Sequence, residues 1–164
     1  MEERTRKELS EIFVEESVRG ARCELVALRA EQQGEPETAA LFRAMQAAAE
    51  VQARRVLLQL RGALPESKEF VRELAGYTGE CLRKFLPRLK TAAEDVGDHR
   101  EAELAGRFRR VAANHASLLK KVAEGRSRGE ELFVCTVCGF IAESDIPEHC
   151  PVCKAVPKRF AVNA

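Results

Sequence analysis

Phe133-Val134-Cys135-Thr136-Val137-Cys138-Gly139-Phe140, followed after a short gap by Pro147-Glu148-His149-Cys150-Pro151-Val152-Cys153-Lys154, sets four cysteines in two Cys-x-x-Cys pairs. Eleven residues separate the pairs. At this spacing each pair closes a tight knuckle whose backbone amides point at the thiolates. Two facing knuckles put four sulfurs at the corners of a tetrahedron, a shell for one zinc or iron ion. Gly139 permits the turn after the second cysteine, and Pro151 helps to fix the second knuckle. Zinc in such a shell would be structural, whereas iron would carry one electron. A redox-active dithiol would need a single pair in a strand-to-helix context, which this stretch lacks. His149 reads as a surface residue beside a shell that Cys135, Cys138, Cys150 and Cys153 already complete.

Upstream of this tail, residues 1–124 read as helix almost throughout, rich in Ala, Leu, Glu, Arg and Lys. Apolar residues recur at helical spacing. One stripe holds Leu9, Phe13, Glu16, Gly20, Cys23, Ala27 and Ala30, and it stops at Gly34-Glu35-Pro36. A second, over about 37–61, holds Phe42, Met45, Ala49, Gln52, Val56 and Leu60. A third follows Pro65-Glu66-Ser67 with Phe70, Leu74, Tyr77, Cys81, Phe85 and Leu89, and Pro87 is expected to kink it. A fourth, over about 100–123, holds Leu104, Phe108, Val111, His115, Leu118 and Val122. Four helices with one apolar face each suit a four-helix bundle, and the two halves look like a duplicated helical hairpin. The predicted organisation is a bundle over 1–124, a linker over 125–131 and a small metal-binding domain over 132–164.

The chain has 164 residues, 32% of them charged, with a net charge of +1. That balance gives no reason to expect nucleic acid or an anionic membrane as partner. No apolar run is long enough to span a bilayer. The charged N-terminus, Met1 to Phe13, lacks the apolar core of a secretory signal, so a cytoplasmic location is expected. In a reducing compartment closely paired cysteines hold metal or do redox chemistry rather than forming disulfides. Cys23 and Cys81 lie on helical stripes and read as ordinary packing. Arg107, Arg109 and Arg110, like Arg54 and Arg55, read as solvated helix faces.

The tail, through Pro157-Lys158-Arg159-Phe160, resembles the rubredoxin-type domain of rubrerythrins. Phe13-Val14-Glu15-Glu16-Ser17 resembles that family's first-helix segment, and Glu31-Gln32-Gln33-Gly34-Glu35-Pro36 its first turn. The resemblance implies a mainly α fold: a ferritin-like four-helix bundle with a small C-terminal rubredoxin-like, zinc-ribbon-type β module. It also implies a homodimer and a non-haem iron protein linked to peroxide reduction. In that family electrons pass from the cysteine-bound iron to a di-iron centre in the bundle. The di-iron centre takes a Glu from the first helix and a Glu-x-x-His from the second. The third helix gives a Glu pair three residues apart, and the fourth a further Glu-x-x-His.

Carried over by position, Glu16 matches the first-helix Glu. The second-helix motif falls on Ala49 and Gln52, the third-helix pair on Tyr77 and Glu80, and the fourth-helix motif on His115 and Leu118. Glu16, Glu80 and His115 are left as candidate ligands of a remnant site. Three groups do not hold two irons in the family's manner, so the di-iron centre and its peroxidase activity are expected to be absent. The plainer reading makes Glu16 and His115 a buried polar pair, bonded to each other or to Gln52 and Tyr77, with Ala49 and Leu118 as apolar filling. The leading expectation is electron transfer or a redox role through one iron in the cysteine site, with a redox protein as partner. The alternatives are an interaction scaffold clipped by structural zinc, and a peroxide-reducing oxidoreductase with a reduced bundle metal site.

Overall fold

The computed structural model describes residues 1–126 and 131–162. Positions 127–130 of the expected linker, and 163–164 of the expected C-terminal domain, lie outside the described residues. Helix α1 spans Glu3–Gln33 and ends at Gly34, whose φ of 74° is left-handed. The amides of Gly34 and Glu35 bond back to the carbonyls of Glu31 and Ala30 at 3.1 and 2.9 Å. This closes the last turn as the Gly-Glu-Pro sequence requires. Helix α2, Pro36–Arg61, begins with its proline in the first turn and stops at Gly62.

The two helices meet through small side chains. Gly20, Cys23, Ala27 and Ala30 of α1, and Ala39, Ala49 and Ala53 of α2, are the buried positions. A Cβ added at Gly20 would lie 3.8 Å from that of Ala49, so the backbones cross closely there. The α1 stripe falls where its spacing predicted. On α2 the expected Phe42, Ala49, Val56 and Leu60 turn inward, joined by Ala39, Gln46 and Ala53, while the expected Met45 and Gln52 turn outward. Where α2 comes closest to α1, beside Gly20, the inward positions are the small Ala49 and Ala53.

Helix α3, Ser67–Glu80, passes through a π-helical turn at Cys81–Phe85 into α4, Leu86–Asp95. The expected kink at Pro87 takes this form. Proline has no N–H, and its ring would press on the carbonyl four residues back. The Leu86 amide bonds instead to Cys81, five residues back. The extra residue turns the following helix by about 100°. Beyond that turn the predicted stripe is out of phase, with Phe85 and Leu89 exposed and Ala93 buried; Leu74 and Tyr77, ahead of the turn, are exposed as well. Helix α5, His99–Ala123, buries Ala105 and Val111, while Leu104, Phe108 and Val122 remain exposed.

Strands β1 (Leu132–Cys135), β2 (Ile141–Glu143) and β3 (Phe160–Val162) form an antiparallel sheet in the order β2-β1-β3. Phe133 and Cys135 alternate inward along β1, and Phe133 lies opposite both Ala142 and Val162. The chain resolves into two compact units, Met1–Pro65 and Glu66–Ala164. The second contains the sheet because the sheet packs on α5, so the compositional boundary near residue 125 is not a boundary of contact. Among the described residues no helix is long and apolar enough to cross a membrane.

Candidate metal centre

Two turns of the same shape build the site. In the first, the Cys135 amide donates to the Phe140 carbonyl and the Gly139 amide to the Cys135 carbonyl, both at 2.8 Å. In the second, the Cys150 amide donates to Ala155 at 2.8 Å and the Lys154 amide to the Cys150 carbonyl at 2.9 Å. Gly139 (φ 81°) and Lys154 (φ 64°) hold equivalent left-handed positions. Only the first carries the residue for which that conformation costs nothing. Lys154→Gly is therefore expected to stabilise the domain by about 1 kcal/mol, and Gly139→Ala to destabilise it by a similar amount. Thermal unfolding of the metal-loaded chain checks the pair: the two melting temperatures should move in opposite directions.

The four cysteine sulfurs lie within 4.8 Å of one another. Cys135 and Cys153 are 3.6 Å apart through their Sγ atoms, as are Cys138 and Cys150. None is in a disulfide. A tetrahedron with metal–sulfur bonds of about 2.3 Å has edges of about 3.8 Å, so the donor set fits one zinc or iron ion. Cys135 and Cys150 are buried, and with Val152 and Val111 of α5 they form the local core. Cys138 and Cys153 are partly exposed and lie toward solvent.

The thiols differ electrostatically. Burial pushes the Cys138 thiol up despite a bond from the Phe140 amide to its sulfur. Cys153 is also raised, chiefly by burial and against the Ala155 amide. At Cys150 burial acts in the same sense, but the Cys153 and Val152 amides outweigh it and carry the thiol below its ordinary value. Amides aimed at sulfur favour the thiolate that metal binding requires.

One face of α5 holds the module. Val111 packs into the cysteine core. Asn114 acts as a strand partner for the edge strand β2: its Nδ2 donates to the Ile141 carbonyl at 3.1 Å, and its Oδ1 accepts from the Ile141 amide at 3.0 Å. Arg110 donates to the Val152 carbonyl at 3.3 Å, and Lys121 pairs with Glu143. Arg107, held by Glu103 at 2.6 Å, also lies within the field of Cys153 and Cys138. Arg110 is therefore not merely solvated, as composition suggested, whereas Arg107 keeps an exposed pair on its own helix. Replacing Asn114 by Leu leaves both Ile141 backbone groups without their partner. It should cost about 1–3 kcal/mol and speed hydrogen exchange at the Ile141 amide more than at Phe133 on the central strand.

The three candidate bundle ligands have other partners. Glu16, with its side chain only 15% exposed, pairs with Arg19. Arg19 also donates to Gln52 at 3.2 Å, so a guanidinium bridges Glu16 and Gln52. Glu80 pairs with Lys84 at 2.9 Å, and Lys84 holds its carboxyl below the usual range. His115 Nε2 lies 2.9 Å from the Gly139 carbonyl oxygen. His115 thus bonds to the first cysteine knuckle, and Tyr77 is exposed. Ala49 is fully buried beside Gly20, as apolar filling would be. Cys23 is buried, Cys81 lies in the π-helical turn, and His149 is exposed.

The family model that matches covers both knuckles, the whole of β2 and most of β1 and β3. Residues 133–161 match the rubrerythrin rubredoxin-like domain. Among solved structures, the chain is similar to nigerythrin in three states. The mixed-valent state matches at a TM-score of 0.56 and 18% identity. The partially reduced state matches at 0.58 and 17%, and the fully reduced, all-ferrous state at 0.57 and 17%. Each alignment covers 97% of this chain and 86% of that one. Identity this low shows the fold alone: four helices of ferritin-like type followed by the rubredoxin-like domain. No curated protein sequence matches the chain. Sequence reasoning found all four cysteines but missed Asn114, Arg110 and Arg107, whose spacing along α5 is the only trace of their shared face.

Proposed function

We propose that the chain is an electron-transfer or redox protein whose working centre is one iron ion held by Cys135, Cys138, Cys150 and Cys153. The observation that carries this reading is the sulfur cradle itself. It has tetrahedral dimensions, amides aimed at its thiolates, and two of its four ligands only partly buried. Partly exposed ligands shorten the route to a redox partner, and amide bonds to sulfur set the potential of such a centre. The match of residues 133–161 to a rubredoxin-like domain supports the same reading. Potentiometry of the iron-loaded chain tests it, with a reversible one-electron couple expected. An iron form that no reductant converts would overturn it.

The peroxidase centre of the resembling family has no role in this proposal. The Arg19 bridge between Glu16 and Gln52, the burial of Ala49 against Gly20 and the Glu80–Lys84 pair all favour a helical part without two irons. A homodimer is part of the proposal. Leu25 and Leu41 of the α1–α2 hairpin are 67% and 58% exposed, and a second copy would cover them. A reducing, cytoplasmic setting fits six free cysteines. The second reading, structural zinc, is favoured by the way Cys135 and Cys150 complete the core beneath α5. In that role the metal clips the sheet to the helix and carries no electron.

A further inference from the structure

The contact of His115 with the first knuckle lies one peptide away from a metal ligand. Its Nε2 is 2.9 Å from the carbonyl oxygen of Gly139. A carbonyl only accepts, so Nε2 carries the hydrogen and donates it. That carbonyl belongs to the peptide linking Gly139 to Phe140, and the amide of the same peptide donates to Cys138 Sγ. One planar group is therefore held at both ends, by His115 at its oxygen and by the Cys138 sulfur at its hydrogen. Hydrogen bonds in series polarise one another: a donor at the carbonyl makes the amide at the far side a better donor. The geometry around this peptide is closely fixed. Gly139 is in the left-handed conformation and faces Val111 at 3.9 Å from an added Cβ, and Asn114, the residue before His115, grips Ile141 through both its backbone groups.

We propose that His115 is a positioning residue for the metal centre. It aims and polarises the Gly139–Phe140 peptide so that the Phe140 amide draws electron density from Cys138 Sγ. The effect falls on one sulfur of four, a partly exposed one, and gives the shell an asymmetry that the four cysteines alone do not contain. Where the bound metal is iron, which rests on the electron-transfer reading above, a stronger bond to the thiolate favours the more electron-rich ferrous form and raises the reduction potential.

Three variants of the full chain test this: His115→Leu, which removes the donor; His115→Gln, which keeps an N–H near the position of Nε2; and Asn114→Ala, which loosens the same helix–module contact without touching Gly139. Each is loaded with cobalt(II) and, separately, with iron. In His115→Leu the thiolate-to-cobalt charge-transfer band is expected to move to lower energy, because the sulfur gives up charge more easily. The midpoint potential of the iron form is expected to fall. His115→Gln should restore most of both shifts, and Asn114→Ala, which leaves the His115 donor in place, should move each far less than His115→Leu does. A cobalt band unmoved in His115→Leu overturns the proposal, as does an equal shift in Asn114→Ala, which would make the effect one of loosened packing. A cobalt band that moves as expected in a chain whose iron cannot be reduced would sustain the role of His115 and overturn only the electron-transfer reading.

Discussion

Cys150→Ala is expected to strip the centre of its metal and melt the C-terminal module while leaving the α1–α2 hairpin folded. Cys150 is fully buried, and its own backbone closes the second knuckle in both directions, through Ala155 and Lys154. Its sulfur also receives the amides of Val152 and Cys153. No described His, Asp or Glu lies in the sulfur cluster to take its place. The module has little else to hold it. Its buried residues are Phe133, Cys135, Ala142, Cys150 and Val152, and two of these five are ligands. A structural metal in a small domain supplies an apparent binding energy of about 10–16 kcal/mol, as much as the whole stability of an ordinary domain. Metal per chain should fall below about a tenth of the parent value, and limited proteolysis should cut within 132–162. Full metal occupancy in the variant would mean that the sulfurs do not form one shell.

Metal affinity is expected to fall steeply as the solution is acidified. Burial raises the Cys138 and Cys153 thiols above their ordinary value, so both are protonated at neutral pH before metal arrives. Coordination takes thiolates, and both protons leave as products. Lowering the pH pushes them back, so affinity should drop at least about 100-fold per pH unit near neutrality. Cys150, carried down by its amides, adds at most one proton more. Competition titrations with zinc and a chelator between pH 6 and 8 measure the slope. A loss of under tenfold per unit would contradict this assignment of protonation. For the metal-free chain the sign is opposite. A thiol raised on folding contributes stability below its unfolded value of about 8.5, and that contribution is lost as pH rises through the folded one.

The parts legible in the sequence were those whose cause is local. The cysteine shell follows from two knuckles, each closed by bonds across five residues. The ends of α1 and α2 follow from Gly34 and Gly62, both left-handed. The stripe on α1 was legible because small residues mark it without ambiguity. Partner choice was not legible. The spacing of Val111 and His115 announces a buried face of α5, but not that this face holds the cysteine module. On α2 both Met45 and Gln46 satisfy helical spacing, and only the close approach at Gly20 selects between the two lines. Beyond Cys81 the predicted stripe failed because a π-helical turn shifts the phase, and Pro87 signals a disturbance without saying how the backbone will absorb it.

The electron-transfer reading is tested most directly by metal analysis with a visible spectrum, on protein expressed with ample iron. One iron per chain is expected, with a red thiolate-to-iron colour that dithionite bleaches and air restores. One zinc per chain in a colourless solution, together with an iron-loaded form that dithionite leaves unchanged, would contradict it and leave the centre as a structural clip. Two or three irons per chain would equally contradict the account, because the helices would then hold the metal that Glu16, Glu80 and His115 are here proposed to have given up.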